Sequence, residues 1–282
     1  MPASVIVLRE AWRPHPLAWI HRAEAQSIAR ELQRAGRAVT LVEFREDTVS
    51  ALPPGTLLLR VSDPVMLYAA TRLTRAALSY VGPGAEAIER CYDKHRAHAV
   101  AIAAGVDSPA TALASAPEVI PYPLILKPRR GSDSIGVRLL PSGPIPAAAR
   151  NEDTIVQEYV RGTELTVAVI HGRVGTPLQI LLPEGKPHSF LRKYLLRPER
   201  APVTDTGLAE RVQRLALSIA RAFAVDWAVR IDLIHETGSG RLRFLECDAA
   251  PLVGPDSGFA ASLAAAGISR DEQLRLLLNE AR

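Results

Sequence analysis

The sequence predicts an α/β fold in which a small N-terminal domain built on a parallel sheet precedes an α+β remainder. Three observations carry this. Over about the first 80 residues, short apolar runs alternate with amphipathic helical stretches, the pattern of parallel-sheet units. From residue 124, strand-like runs follow one another around turn residues with little helix between them. Late in the chain a strong amphipathic helix leads into a hairpin, and two further helices follow it. With 282 residues the chain is expected to hold about two or three compact modules.

The elements follow in order. Residues 4–8 form a buried strand, and residues 17–35 a helix carried by Ile20, Ala23, Ile28, Ala29 and Leu32 and ended by Gly36. Strands are expected at 39–44 and 56–60, with a Pro-Pro-Gly turn between them. Residues 64–80 read as one helix with Pro64 in its first turn. In parallel sheets ligands meet the carboxyl ends of strands, which singles out Arg9, Glu10, Arg60 and Asp63. After the Pro83-Gly84 break, residues 92–104 read as a helix with Asp93 and Lys94 in its first turn. Strands are expected at 124–127, 137–140, 154–160, 164–171 and 174–182, a connection at 141–149 and a loop at 183–202. Residues 208–223 form the amphipathic helix, 228–248 the hairpin, and 257–266 and 271–280 the closing helices.

Composition narrows the function classes. The chain is 48% hydrophobic and 23% charged, ordinary for a globular protein. No apolar run approaches the roughly 20 residues that span a bilayer, and no signal peptide is expected. Two cysteines make no disulfide framework and fit a reducing cytoplasm. The net charge is +4, but the arginines are scattered among acids and aromatics are 5%, which argues against nucleic acid. Lysine is scarce: Lys94, Lys127, Lys186 and Lys193 stand against thirty arginines, so a compact ammonium is specifically wanted where one appears.

Three stretches carry chemistry. In the hairpin, Glu246 and Asp248 are two apart and share a face; Asp232 joins them if the turn holds three or five residues. Leu242 and Phe244 lie on one face of that strand, and Leu245 and Cys247 on the other. Three carboxylates on one face repel unless a cation sits among them, and hard oxygen ligands suit Mg²⁺ or Mn²⁺. The alternative is a solvated surface hairpin. Residues 129–136, preceded by Lys127, form a small polar loop in which Gly131, Ser132 and Ser134 let backbone N–H groups approach an anion, although the GxxxxGK[ST] spacing is missing. Around Gln157, Glu158, Tyr159 and Val160 an apolar strand with free backbone groups could read adenine, and Glu164 could accept from ribose hydroxyls.

Taken together these pieces resemble the ATP-grasp superfamily, in its D-alanine–D-alanine ligase-like branch. The resemblance rests on Cys91-Tyr92-Asp93-Lys94 with AAGVDSPAT, Leu126-Lys127-Pro128 with GSDSIGV, and QEYVRGTELTVAVI. It continues through Lys193-Tyr194, Arg230-Ile231-Asp232, Glu246-Cys247-Asp248 and a tail holding Pro251, Ser257 and Gly267-Ile268-Ser269. It covers residue 89 to the C-terminus and is looser before that. It implies a three-subdomain ATP-grasp fold divided at 1–88, 89–156 and 157–282. It further implies that Lys94 and Lys127 hold the phosphates of ATP, that Asp232, Glu246 and Asp248 bind Mg²⁺ or Mn²⁺, and that Arg230 steadies the transferring phosphoryl group. Lys193 and Tyr194 would close over the site, and Ser257 would complete the catalytic set.

Departures from the pattern matter. His98 stands where relatives often carry a second Lys, so phosphate binding is expected to be pH-sensitive. Asp248 replaces an Asn, Leu252 a Gly, and Asp133 a Ser of the phosphate loop, where it would face an ammonium on the substrate side. The Gly-Gly-x-Ser-x-Glu opening is absent, and Glu10 is the acid nearest to replacing it, with Arg60 as a further substrate contact. These features argue against a housekeeping cell-wall ligase. The expected activity is ATP-dependent carboxylate–amine ligation on an amino-acid-like small molecule in specialised biosynthesis, intramolecular ring closure as in cycloserine-forming relatives being one form of it. A homodimer is left open, and no membrane or nucleic acid partner is expected. The alternative is an ATP-binding regulatory or scaffold protein on an inactive fold.

Overall fold

The computed structural model describes residues 4–116, 120–131, 135–181 and 199–280, excepting the side chain of Pro64. The chain opens with β1 (Val5–Glu10), α1 (Pro16–Arg34), β2 (Val39–Phe44), β3 (Thr56–Arg60), α2 (Asp63–Arg75) and β4 (Tyr80–Val81). The strands form a parallel sheet ordered β2-β1-β3-β4. β1 is buried along both faces because helices cover each side, as expected of a central parallel strand. Helix α1 starts at His15, whose ring accepts the N–H of Leu17, with Pro16 in the first turn, where its missing donor costs nothing.

Two helices follow, α3 (Ala85–Tyr92) and α4 (Lys94–Ala103). The sequence suggests one helix from residue 92 with Asp93 inside its first turn. Asp93 instead caps α4 at φ −85° and ψ 99°, taking the N–H of Arg96 on its carboxylate. Helix α2 likewise stops at Arg75 rather than near residue 80: Ala77 turns to φ +54° and the N–H of Leu78 closes back on the carbonyl of Leu73.

The second sheet is ordered β5-β8-β6-β7, with β5 (Thr111–Leu113), β6 (Leu124–Pro128), β7 (Arg138–Leu140) and β8 (Thr154–Glu158). The third contains β9 (Gly162–Ile170), β10 (Arg173–Val174), β11 (Leu178–Leu181), β12 (Glu199–Pro202), β13 (Ala228–Glu236) and β14 (Leu242–Asp248). Its order is β12-β11-β9-β13-β14, with β10 paired to β9. The run expected at 174–182 is thus split at Gly175-Thr176-Pro177, and β4, β5 and β12 are strands that periodicity did not reveal. Helix α5 (Thr206–Ala222) is capped by Asp205, which accepts from Leu208, and α6 (Gly258–Ala265) and α7 (Arg270–Leu277) close the chain.

The third sheet positions everything else. Val229, Ile231, Leu233, Phe244 and Cys247 face α5 in one core. Leu242, Phe244 and Cys247 therefore share a face, against the alternation expected, because Asp232 pairs with Glu246 but Leu233 with Phe244. The extra residue, Leu245, is a bulge that resets the parity of the strand. On the opposite face Ala168, Ile170 and Ala228 pack with Val5, Ile28, Leu58, Phe259 and Leu263, so the N-terminal domain, this sheet and the last two helices share one core. No helix among the described residues is long and apolar enough to cross a membrane.

Candidate functional site

The face of β13 that carries Ala228 also carries Arg230 and Asp232, beyond the part that Ala228 commits to the second core. Thr166 on β9 stands opposite Asp232 and donates its hydroxyl to Oδ1 at 2.7 Å. Glu246 lies opposite Asp232 on the other side, a pairing produced by the bulge rather than by the odd-numbered turn on which the sequence argument rested. The cation among the carboxylates is a protein one. Arg230 Nη2 lies 3.0 Å from Asp232 Oδ2 and Nη1 3.0 Å from Asp248 Oδ2. Burial pulls the guanidinium pKa down, but Asp232 and Asp248 outweigh it and hold Arg230 well above the usual arginine value. Glu246 faces Lys94 Nζ at 3.6 Å. Among the described residues no group of three His, Cys, Asp or Glu side chains stands ready to hold a metal ion. Arg230 stands between two members of the expected Asp232–Glu246–Asp248 ligand set, Asp232 and Asp248.

Facing the carboxylates is a lysine pair. Asp93 takes Arg129 Nε at 2.8 Å and Arg130 Nη2 at 3.1 Å, while the backbone N–H of Lys94 donates to the carbonyl of Arg129 at 2.9 Å. The ammonium of Lys94 meets the carbonyl of Gly131. The start of α4 thus clamps the entry to the polar loop, and Gly136 tightens its exit: at φ +79°, an added Cβ would stand 2.9 Å from Pro128 Cγ. Ser132, Asp133 and Ser134 lie outside the described residues, as do Lys193 and Tyr194.

Lys127, on β6, is buried. Burial, with the charge of Lys94 beside it, lowers its pKa to about 8, and Glu246 and Glu164 only partly oppose this. Its charge is therefore present below pH 8 and lost above it. From there to the ordinary value of 10.5 the unfolded chain binds more protons, so the destabilisation caused by this buried charge below pH 8 is relieved as pH rises through that window. Anion binding has the opposite sign. Affinity for a phosphate-bearing ligand that meets Lys127 is expected to fall as pH rises past about 8, with proton uptake on binding that shows as buffer-dependent heats in calorimetry. Lys127→Arg should flatten the profile; an unchanged slope would mean that Lys127 does not meet the phosphates.

The adenine expectation meets a more occupied backbone. The N–H of Glu158 donates to Ala110 at 2.9 Å and that of Tyr159 to Pro123 at 3.1 Å, so two of the amides proposed as free are engaged; Val160 follows, buried. Gln157 is interior: its amide nitrogen meets His98 Nε2 at 2.7 Å and Thr111 at 2.8 Å. His98 also holds Ser108 at 2.6 Å and lies edge-on to Phe244. Burial, then the charges of Lys127 and Lys94, push its pKa well below the usual value, so it stays neutral. Glu164 sits on β9 opposite Ile234 and acts electrostatically on Lys127.

Two of the tentative substrate contacts are committed elsewhere. Glu10 is buried, accepting the N–H of Ser62 at 2.9 Å and the guanidinium of Arg13. Arg60 is fully buried, donating to Glu24 at 2.6 Å and to the carbonyl of Pro251 at 2.8 Å. Neither presents its charge to an incoming molecule. Ser257 caps α6, its Oγ accepting from Ala260 at 3.0 Å.

Sequence reasoning missed two cations. Arg243 is buried where Glu158, Asp107 and Glu236 converge and also donates to the carbonyl of Ser108, tying the end of β8 to the hairpin. No motif marks it. Arg200 on β12 runs past Gly258, where an added Cβ would stand 3.3 Å from its Nε, and burial, then the charge of Arg230, lowers its pKa. The glycine after Ser257 was the available signal.

An ATP-grasp domain model matches residues 91–184. The D-alanine–D-alanine ligase of Xylella fastidiosa is 27% identical over 177 residues, 56% of this chain and 58% of that protein. That of Stutzerimonas stutzeri is 27% identical over 224 residues, 73% of this chain and 70% of that one. The chain thus spans less than two thirds of the Xylella relative in sequence. Among solved structures, a D-alanine–D-alanine ligase from Bacillus anthracis superposes with a TM-score of 0.81 at 15% identity, covering 98% of this chain and 96% of the other. The VanG D-Ala:D-Ser ligase from Enterococcus faecalis gives 0.78 at 17%, covering 99% of each. At such identities the superpositions speak for the fold.

Proposed function

Because the chain is an ATP-grasp protein, D-alanine–D-alanine ligase-like in sequence and fold, we propose that it is an ATP-dependent carboxylate–amine ligase. A substrate carboxylate oxygen attacks the γ-phosphorus of ATP and the bond to the β-phosphate oxygen breaks, releasing ADP and leaving an acylphosphate. An amine nitrogen then attacks the acyl carbon, the bond from that carbon to the phosphate oxygen breaks, phosphate leaves, and the nitrogen gives up its proton. The observation that carries the reading is the convergence, at one sheet face, of Lys94, Lys127 and Glu164 with the Arg230-bridged pair Asp232 and Asp248 and with Glu246. Such chemistry is mostly positioning and charge neutralisation.

In this reading Lys94 and Lys127 hold phosphate oxygens and the segment 157–160 receives the adenine, with Glu164 near the ribose. Ser132 and Ser134 cradle the phosphates, Asp133 meets a substrate ammonium, Lys193 and Tyr194 close the site, and Ser257 lines the acceptor side. Arg230 donates to oxygens that gain negative charge as the phosphoryl group moves. Asp232, Glu246 and Asp248 offer oxygen donors of the kind that Mg²⁺ or Mn²⁺ takes, and once Arg230 releases Asp248 they would hold the ion, whose charge would neutralise phosphate oxygens. The divisions 1–88, 89–156 and 157–282 then serve as substrate, phosphate and metal-side parts.

The substrate reading is an amino-acid-like molecule other than that of a housekeeping ligase, in specialised cytoplasmic biosynthesis, with ring closure within one molecule as one form. The commitment of Glu10 to Ser62 and Arg13 supports the difference. The test is ADP and phosphate release across a panel of amino acids and amino-acid pairs. Release stimulated by a particular amine, with an amide or ring product in the mass spectrum, is the expected result. Tight ATP binding with no stimulated release anywhere on the panel would turn the reading to an ATP-binding regulatory protein.

A further inference from the structure

Glu24 and Arg60 form a buried ion pair between α1 and the end of β3, 2.6 Å apart at the closest atoms. The pair does more than neutralise itself. The other oxygen of Glu24 accepts the backbone N–H groups of both Val253 and Gly254, the latter at 3.1 Å. Arg60 donates to the carbonyl of Pro251 at 2.8 Å. One buried pair from the N-terminal domain thus grips residues 251–254, the turn that leaves β14 directly after Asp248. The grip continues along the chain. Gly254 accepts the N–H of Ser257 at 3.0 Å, and Ser257 in turn caps α6. Asp248 ties the near end of the turn by accepting from Ala250 at 3.0 Å. Arg270, itself paired with Glu31 of α1, holds the carbonyl of Val253 at 2.9 Å.

Stability alone is a poor explanation for this arrangement. Replacing a buried ion pair by apolar residues of similar volume is often neutral or stabilising, because two desolvated charges seldom recover their hydration energy. Here Arg60 Nη1 also lacks an acceptor among the described residues, although the side chain is fully buried. What the pair supplies is direction: three backbone groups in four residues are bound to one rigid ionic unit.

We propose that Glu24 and Arg60 are positioning residues that fix the 251–254 turn, and through it Ser257, against the N-terminal domain, so that the acceptor side of the site is set by two charges that touch no substrate. The substrate part of this inference rests on the ligase reading; the backbone part does not. Neither residue belongs to a motif, and they are 36 positions apart.

The test uses Glu24→Gln and the apolar double variant Glu24→Met/Arg60→Met in the full chain. Hydrogen exchange followed by mass spectrometry should show the amides of residues 253 and 254 exchanging roughly ten- to a hundredfold faster in Glu24→Gln, with β13 and β14 unchanged. With substrates from the panel, KM for the amine should rise roughly tenfold or more while KM for ATP stays within about twofold. The double variant should keep a melting temperature near that of the parent while showing the same kinetic split; if it fails to fold, Glu24→Gln decides alone. Unchanged protection of the turn, or amine and ATP parameters falling together in step with lost folded protein, would overturn the proposal. Should no amine be turned over by the parent, the ligase reading falls while the exchange experiment still decides the role of the pair.

Discussion

Arg230→Met is expected to cost about 3–5 kcal/mol of stability at neutral pH, the range for removing one partner of a buried ion pair. The side chain is 13% exposed and its partners Asp232 and Asp248 are 9% and 18% exposed, so solvent screens the contact little. Losing the guanidinium leaves two carboxylates on neighbouring strands with Glu246 beside them. Like charges held close raise each other's pKa. The loss should therefore shrink as pH falls and the carboxylates protonate. In the metal-site reading, added Mg²⁺ or Mn²⁺ should recover part of it, since either cation would take the place of the guanidinium. Arg230→Lys should fall between, because an ammonium cannot bridge two carboxylates as a planar fork does. Urea denaturation at several pH values, with and without Mg²⁺, measures all three. A variant as stable as the parent at neutral pH would show that the bridge is not formed in solution. Activity in the ligase reading should fall roughly 10²–10³-fold, the range for removing one donor to a developing oxyanion.

That the site is organised around Arg230 was half legible in the sequence. Strict alternation along residues 228–234 put Arg230 and Asp232 on one face because a strand has a period of two, and the structure keeps that. The bulge at Leu245 was not legible, since no residue type demands it, and it reversed the expected faces of Leu242 and Phe244 relative to Cys247. Lys94 and Lys127 stood out through the scarcity of lysine, which is a compositional signal. Asp93 did not, because an acid before a helix reads equally well as a first-turn residue or a cap. The commitments of Glu24, Arg60 and Arg243 are long-range: each joins groups tens of residues or more apart, and periodicity reports only local geometry. His98 failed for the same reason. Its position in the motif suggested a phosphate contact, but its fate was decided by Gln157, Ser108 and Phe244, none of which is its neighbour in sequence.

Asp232→Asn tests the same site from the other side and should separate chemistry from folding. The amide keeps the shape and can still accept the hydroxyl of Thr166, while Arg230 keeps Asp248. Its cost in stability should therefore be smaller, about 1.5–3 kcal/mol for charge-assisted bonds weakened rather than a charge left without a partner. In the ligase reading, ADP release should fall roughly 10²–10³-fold, because the position would then lack the negative charge that a divalent cation requires. The decisive comparison is the double variant Arg230→Met/Asp232→Asn. If the two side chains act as one ionic unit, the double variant will be more stable than Arg230→Met alone, since it leaves one fewer buried charge unmatched, and the cycle will show coupling of about 1–3 kcal/mol. Additive losses would place the two residues in separate roles. Turnover by Asp232→Asn within about threefold of the parent would remove Asp232 from the catalytic machinery, whatever the stability data show.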